Sequence, residues 1–319
     1  MCYSAQIIAE YKKYVRTFGA AMGIHEYVEI FWRFKEDAKL RLPKAMEDEV
    51  LTLDDPQLAP AQAAIRERRI AETIRLEQEV FKQRTRMAKA ERILHEKPTK
   101  LAANEKRIAT DKVAAALARL EDLKRTEPKD RDSRIFPGWF APVLVMVDGL
   151  LVVKPMRYQC RPASAPVFYD EKYPGTYNAR RDNLKKFWKG EFGNTHGVML
   201  TTAFFENVNR HRAEGRELQP GEKPENIVLK FEPDTHEPML VACLWSHWKG
   251  TQGEPDLLSF AAITDDPPPE VAAAGHDRCI VPIKPERLMD WLTPGKPWHD
   301  YERILDDRER PYYEHRKAA

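Results

Sequence analysis

Several common functional motifs are missing from this 319-residue sequence. It has no GxGxxG, Walker, HExxH or GxSxG motif, so nucleotide cofactors, zincin chemistry and a serine-hydrolase elbow have no support. Its four cysteines lie far apart with no CxxC pair, which argues against a disulfide scaffold and a structural zinc site. No apolar run is long enough to span a bilayer, and no signal-peptide pattern is present. We therefore expect no metal, no cofactor, no membrane contact and a reducing cytoplasm.

Charge does not identify a partner on its own. The formal net charge is only +2, whereas 32% of the residues are charged. A nucleic-acid surface would therefore have to be a local patch. So high a charged fraction is unusual for one compact domain, and it predicts that part of the chain lies outside the main core.

The sequence divides into three zones: residues 1–55, 56–130 and 131–319. The first zone predicts two packed helices, at residues 7–18 and 25–40. The second has no glycine and almost no aromatic residue, and its apolar residues recur at helical spacing: Ile70, Ile74, Phe81, Val113, Ala116, Leu117 and Leu120. Because "HEKPTK" interrupts that pattern near Pro98, we expect two long helices folded back as a hairpin.

The third zone is mostly β. "PVLVMV-DG-LLVVKPMRYQC" consists of two apolar β-branched runs joined by Asp148-Gly149, which is a strong hairpin signal. Further strand candidates are "GVMLTTAFF", "NIVLKF", "MLVACLW", "LLSFAAIT" and "RCIVPI", and "PERLMDWL" is a helix candidate. The predicted fold class is α+β: an antiparallel β-rich domain, curled or barrel-like, with a helical hairpin insertion.

Polar residues within the β zone are the candidates for chemistry. They occur in "YNARRDN" (Asn178, Arg180), "AFFENV" (Glu206) and "AAGHDRCIVPI" (His276). Each also has an ordinary structural explanation. Asn178 and Arg180 suit a loop, a glutamate at a strand end is usually solvated, and a lone histidine can simply begin a strand.

Taken together, these segments resemble the SRAP family, the SOS response-associated peptidase domain. The elements in common are "MC", "KPMRYQCRP", "YNARRDN", "TAFFEN", "LVACLWSHW…SFAAIT" and "HDRCIVPI…WL", in the family's order and approximate spacing. The match covers the first few residues and most of residues 133–292, and the helical zone looks like an insertion. The chain differs from the family pattern at Tyr3, Ser4, Asp182 and Asn207.

The resemblance implies a specific activity: recognition of abasic sites in single-stranded DNA and covalent crosslinking to them, in the DNA damage response. It implies Cys2 as the nucleophile after loss of Met1, with Asn178, Glu206 and His276 as its catalytic partners. Glu206 would transfer protons at the amine and the sugar, and His276 would assist sugar-ring opening. The residues expected to contact DNA are Arg180, Arg181, Arg161 and Tyr158, although core packing is an alternative use for Tyr158. A cytoplasmic, nucleoid-associated location is expected.

The chemistry of an N-terminal cysteine is compatible with this activity. Its amine and thiol have ordinary pKa values near 7.7–8.0 and 8.5, so both are partly deprotonated near neutrality. The amine can form a Schiff base with the ring-opened sugar aldehyde, and the thiolate can then close a thiazolidine ring. Two alternatives remain open: a thiol peptidase that removes its own Met1, and a non-catalytic protein that binds nucleic acid, a partner or itself through the helical hairpin.

Overall fold

The computed structural model describes residues 4–37, 39–251 and 253–318. The chain folds into two compact units. The β-rich unit comprises the segments up to Leu58 and from Asp130 onward, and the helical unit is Ala59–Lys129. The strands are β1 Ser4–Ile7, β2 Ala21–Met22, β3 Arg134–Ile135, β4 Phe140–Val147, β5 Leu150–Tyr158, β6 Asn178–Arg180, β7 His196–Asn209, β8 Asn226–Pro233, β9 Met239–Trp248, β10 Leu257–Asp265, β11 Cys279–Ile280 and β12 Tyr313–Lys317. The helices are α1 Tyr11–Phe18, α2 Ile24–Glu36, α3 Lys44–Thr52, α4 Ala59–Glu96, α5 Lys100–Lys124, α6 Tyr169–Lys172, α7 Arg210–Ala213, α8 Pro269–Ala273, α9 Leu288–Leu292 and α10 Trp298–Asp306.

One large sheet organises the β-rich unit. Its main path runs β11-β10-β5-β4-β7-β1-β3, and β8 and β9 also pair with β7. Most ladders among the described residues are antiparallel, whereas β10 pairs in parallel with β5 and β6, and β2 pairs in parallel with β5. The predicted α+β class, an antiparallel-dominated sheet with a helical hairpin, is confirmed.

The β4–β5 hairpin shows how directly local sequence specifies this sheet. Asp148 and Gly149 both have positive φ, 49° and 80°. That combination is required at the two central positions of a type I′ turn, whose twist matches the flanking strands. The turn sets the register, so that Val147 pairs with Leu150 and Phe140 with Arg157.

The first predicted helix begins later than the sequence suggested. The expectation of a helix from residue 7 is wrong for its first turn: β1 ends at Ile7, and α1 begins at Tyr11. β1 pairs with β7 on one side and β3 on the other. Its apolar residues are therefore buried by strands that are distant in sequence, an arrangement that local periodicity does not reveal.

The helical unit is an antiparallel hairpin of α4 and α5. Ion pairs join the two helices at Glu72–Arg119 and at Arg86–Glu105. Thr99 caps α5 by accepting a hydrogen bond from the backbone N–H of Ala102. The apolar interface between the helices is made by Leu76, Val80, Ala116 and Leu120, with Leu123 packed against them.

The apolar residues that reveal helical spacing on α4 lie elsewhere. Ile70, Ile74 and Phe81 are 61%, 50% and 76% exposed. Sequence periodicity therefore predicts the helix but not which of its faces packs. None of the helices in the described ranges has the length and apolar character needed to cross a membrane.

Candidate functional site

A buried carboxyl–imidazole pair lies at the centre of the candidate site. Glu206 is on β7, pairs with Leu229 of β8, and is 0% exposed. His276 follows α8 and is 9% exposed. Its Nε2 lies 3.0 Å from Oε2 of Glu206. Two residues separated by 70 positions are thus brought within hydrogen-bond distance in the protein interior.

Backbone geometry fixes the other side of the imidazole. Nδ1 of His276 lies 2.9 Å from the backbone carbonyl oxygen of Arg278 and 3.3 Å from the backbone nitrogen of Arg278. The shorter distance favours Nδ1–H as the donor to the carbonyl, because Nδ1 cannot donate and accept at once. The other ring nitrogen, Nε2, then faces Oε2 of Glu206. Burial lowers the pKa of His276, because desolvation disfavours the charged imidazolium.

Gly275 positions this histidine. Its φ is +93°, a backbone conformation that residues with a side chain rarely adopt. A Cβ at this position would lie 2.9 Å from Cβ of Arg212. The chain can therefore turn from α8 into His276 only because the residue before the histidine has no side chain.

Asn178 has an unusual environment. It is on β6, opposite Ala262 of β10, and is only 6% exposed. Neither its amide nitrogen nor its amide oxygen has a hydrogen-bond partner among the described residues. Because an unsatisfied buried polar group costs about 1–3 kcal/mol, such groups are often retained for function.

Strand pairing brings β6 next to the His276 segment. Thr264 of β10 pairs with Arg180 on β6 and with Ile280 on β11. β11 begins at Cys279, three residues after His276. The Asn-Ala-Arg and His-x-Arg segments are consequently neighbours across one strand.

β1 begins beside Glu206. Ser4, the first described residue, pairs with Phe205, the residue before Glu206. Cys2, the predicted nucleophile, lies outside the described residues. Ser4 is buried, and its hydroxyl accepts a hydrogen bond of 3.0 Å from Nε of Arg134.

The predicted DNA-contacting arginines already have acidic partners. Exposed Arg180 binds Asp182 through two hydrogen bonds of 3.1 and 2.6 Å. Arg181 binds Asp265 at 3.0 Å and also contacts Asp306. Each guanidinium would have to exchange a carboxylate for a phosphate in order to bind DNA.

Arg161 and Tyr158 lie in the interior. Arg161 is 7% exposed, binds Asp170, and lies over the ring of Trp248. Tyr158 is 1% exposed and packs against Tyr177 and Phe260. Tyr158 thus packs as a core residue, the alternative use that its sequence left open. The DNA-binding roles of these two residues stay predictions.

Two other buried titratable groups belong to the scaffold. Burial lowers the pKa of His196 to about 3, and its ring joins Gly193 N–H to the Trp291 carbonyl. Burial raises the pKa of Glu191 to about 7. Within the described ranges no group of three or more His, Cys, Asp or Glu residues could hold a metal ion.

A family model connects this geometry to known proteins. Residues 92–316 match the model described as SOS response associated peptidase (SRAP), which covers more than half of the chain. The chain belongs to the SRAP family. The match contains Asn178, Glu206 and His276, and the family name associates SRAP proteins with the SOS response and with a peptidase.

Solved structures similar to this SRAP protein are distant in sequence. One is a protein from Bacteroides thetaiotaomicron, with TM-score 0.46 and 14% identity, covering 59% of this chain and 78% of the other. A protein from Bordetella bronchiseptica has TM-score 0.46 and 16% identity, covering 59% and 87%. A phage-related protein from Bordetella bronchiseptica has TM-score 0.43 and 20% identity, covering 58% and 81%. None of the curated proteins compared matches the chain.

Two features of the SRAP site are not predicted from the sequence. The sequence marks Asp182 only as a difference from the family pattern, yet this residue binds Arg180. The role of Gly275 is also missed, although the glycine immediately precedes His276 in "AAGHDRC". A glycine directly before a candidate catalytic histidine is the available signal for a positive φ.

Proposed function

We propose that this SRAP protein is a sensor of abasic sites in single-stranded DNA, and that it crosslinks to them through the amine and thiol of Cys2 after Met1 is removed. The observation that carries the proposal is the 3.0 Å distance between buried Glu206 and His276. Ser4, two residues after Cys2, pairs with the residue next to Glu206. The proposal therefore requires Cys2 to reach this pair from Ser4, two residues further along the chain.

The reaction needs several proton transfers. The Cys2 amine attacks the C1′ aldehyde of the ring-opened sugar to form a carbinolamine. The carbinolamine then loses water and becomes an imine. In this step the leaving hydroxyl gains a proton and the nitrogen loses one. Glu206 and His276 together can donate the first and accept the second. The Cys2 thiolate then adds to the imine carbon while the nitrogen gains a proton, and the net products are a thiazolidine and one water.

Asn178 is suited to orienting the reacting groups. Its amide has one acceptor oxygen and two donor hydrogens, and neither heavy atom is paired among the described residues. A hydrogen bond to the Cys2 amine or to a sugar hydroxyl would satisfy it. Fixing a nucleophile beside an electrophile contributes to rate through proximity.

Crosslinking to an abasic oligonucleotide tests the proposal. Mass spectrometry first establishes that Met1 is absent from the purified protein. Wild type is then incubated with single-stranded DNA carrying one abasic site, and we expect a protein–DNA band that survives heat and denaturing electrophoresis. Cys2→Ala should give only an imine, which hydrolyses unless borohydride reduces it. A heat-stable Cys2→Ala band, or no wild-type band, would contradict the proposal.

The family name supports a second candidate function, a thiol peptidase that removes Met1. A carboxyl–imidazole pair could also activate a cysteine nucleophile for peptide hydrolysis. The test is production in cells lacking methionine aminopeptidase activity. Under this alternative, wild type loses Met1, whereas Glu206→Gln and Cys2→Ser retain it. If all three proteins retain Met1, peptidase activity is excluded.

A further inference from the structure

The helical unit has a strong positive net charge that the whole chain conceals. Residues 59–129 contain 18 Lys and Arg but only 11 Asp and Glu, a net charge of +7. Because the whole chain has a net charge of +2, the remainder carries −5. A basic segment of this kind favours a polyanionic partner.

Several acidic residues of the hairpin are used in internal ion pairs. Glu72 binds Arg75 and Arg119, Glu91 binds Lys106, and Glu105 binds Arg86. On α4, by contrast, the exposed side chains of Lys82, Arg84, Lys89 and Arg92 make no ion pair with any described residue. These four cations of α4 are therefore available to a partner.

Arg84 and Arg92 share one face of α4 with exposed apolar residues. We call this face the outer stripe. Its members are related by steps of three or four residues or their sums: Arg66, Ile70, Ile74, Glu77, Phe81, Arg84 and Arg92. Lys82 and Lys89 flank the stripe. Phe81 is 76% exposed, and it is the only Phe, Trp or Tyr of the hairpin.

The charge and the apolar residues of the outer stripe favour one kind of partner over two others. A second copy of the hairpin would bring two surfaces of net charge +7 together, which is electrostatically unfavourable. A membrane-surface helix needs a broad apolar face, but the main apolar packing of α4, through Leu76 and Val80, is against α5. Single-stranded DNA complements both components, since its phosphates pair with cations and its bases stack on aromatic rings. A duplex does not expose base faces for stacking.

We propose that the outer stripe of α4 binds single-stranded DNA without sequence preference, with Arg84 and its neighbouring lysines on phosphates and Phe81 stacked on a base. This site is separate from the Glu206–His276 site and needs no abasic lesion. Its role would be to hold a strand by its backbone independently of any covalent step.

Fluorescence anisotropy with a labelled oligonucleotide that has no abasic site tests this proposal. All proteins carry Cys2→Ala, so no crosslink can form and the result does not depend on the proposed chemistry. The test variant adds Lys82→Glu, Arg84→Glu and Lys89→Glu. The matched control adds Lys13→Glu, Lys189→Glu and Lys223→Glu, three exposed lysines of the β-rich unit, and circular dichroism checks that each variant is folded.

We expect the test variant to bind at least tenfold more weakly than the control. Its slope of log Kd against log salt should fall by about 2, since each phosphate contact to single strands contributes about 0.7. Phe81→Ala should weaken binding about fivefold or more, as expected for losing one stacked base. A duplex of equal length should respond to the charge reversals but not to Phe81→Ala.

Three outcomes would overturn the proposal. The first is equal affinity of the test variant and the control for single-stranded DNA. The second is a wild-type dimer in sedimentation velocity that Phe81→Ala dissociates while DNA affinity is unchanged, because the stripe would then be a protein interface. The third is binding to anionic phosphatidylserine vesicles without binding to the oligonucleotide.

Discussion

Replacing Glu206 by glutamine removes proton transfer while preserving shape. Glu206 is fully buried and lies 3.0 Å from Nε2 of His276. A glutamine amide can still hydrogen-bond to the imidazole, but it cannot take up or release a proton. General acid–base catalysis contributes about 10²–10⁴ in rate. We therefore expect crosslink formation to slow about 100-fold or more.

The same substitution should have little effect on folding. Losing a charge-assisted hydrogen bond costs about 1.5–3 kcal/mol. Removing a buried carboxylate also removes its desolvation penalty, which amounts to several kcal/mol per ion and opposes that loss. We expect the free energy of unfolding to change by less than about 2 kcal/mol, so that a slow reaction cannot be attributed to unfolded protein.

Single-turnover kinetics with protein in excess measure this effect. Samples are quenched over time and the crosslinked fraction is read from denaturing gels between pH 5 and 9. Glu191→Gln is the matched control, because Glu191 is also a buried glutamate of the β-rich unit. It should crosslink within about twofold of wild type. A wild-type rate for folded Glu206→Gln would refute the proton-transfer role.

Three further predictions concern Glu191, Gly275 and Asn178. Burial raises the pKa of Glu191 to about 7. Between pH 4.5 and 7 the native state therefore keeps a proton that the unfolded chain has released. The stability of the wild-type protein consequently falls as the pH rises through this range. Glu191→Gln should therefore raise the free energy of unfolding by up to about 3 kcal/mol at pH 8 and by nothing at pH 4, as measured by urea titration. Gly275→Ala should lower stability by about 1–3 kcal/mol and slow crosslinking, since its Cβ would contact Arg212 beside His276. Gly215→Ala, also at positive φ but with nothing within 4 Å of the added Cβ, should leave crosslinking unchanged; equal loss of crosslinking in both would contradict the positioning role of Gly275. Asn178→Leu should stabilise the protein by about 1–3 kcal/mol while slowing crosslinking, and a loss of stability instead would mean that its amide is satisfied in solution.

Local chemistry made parts of the fold predictable. The Asp148-Gly149 turn needs two positive φ angles and sets the register of its own strands, so a dipeptide sufficed to place it. Thr99 and Pro98 similarly mark where one helix stops and the next begins. Local residues did not predict the structure of residues 4–10. The reason is that β1 forms by pairing with β7 and β3, which come from distant parts of the chain.

The candidate site shows the same division. Sequence alone selected Asn178, Glu206 and His276 as candidates through a resemblance in motif order, but it did not show how they are arranged. Only tertiary structure decided that Glu206 is buried against His276, since that pair joins a strand to a loop 70 residues away. The tertiary structure likewise decided that Asp182 forms an ion pair with Arg180 and that Asp170 forms one with the buried Arg161.

The sequence by itself determined the family, which follows from the order of its motifs. It also determined the fold class, the hairpin turn and the presence of two long helices, which follow from residue types at short spacing. What only the tertiary structure decided was which charges are available and which faces are covered. Ile70, Ile74 and Phe81 have the spacing of a packed face yet are exposed, because Leu76 and Val80 meet α5 instead. Burial and pairing depend on both partners of an interaction, and a sequence pattern describes only one.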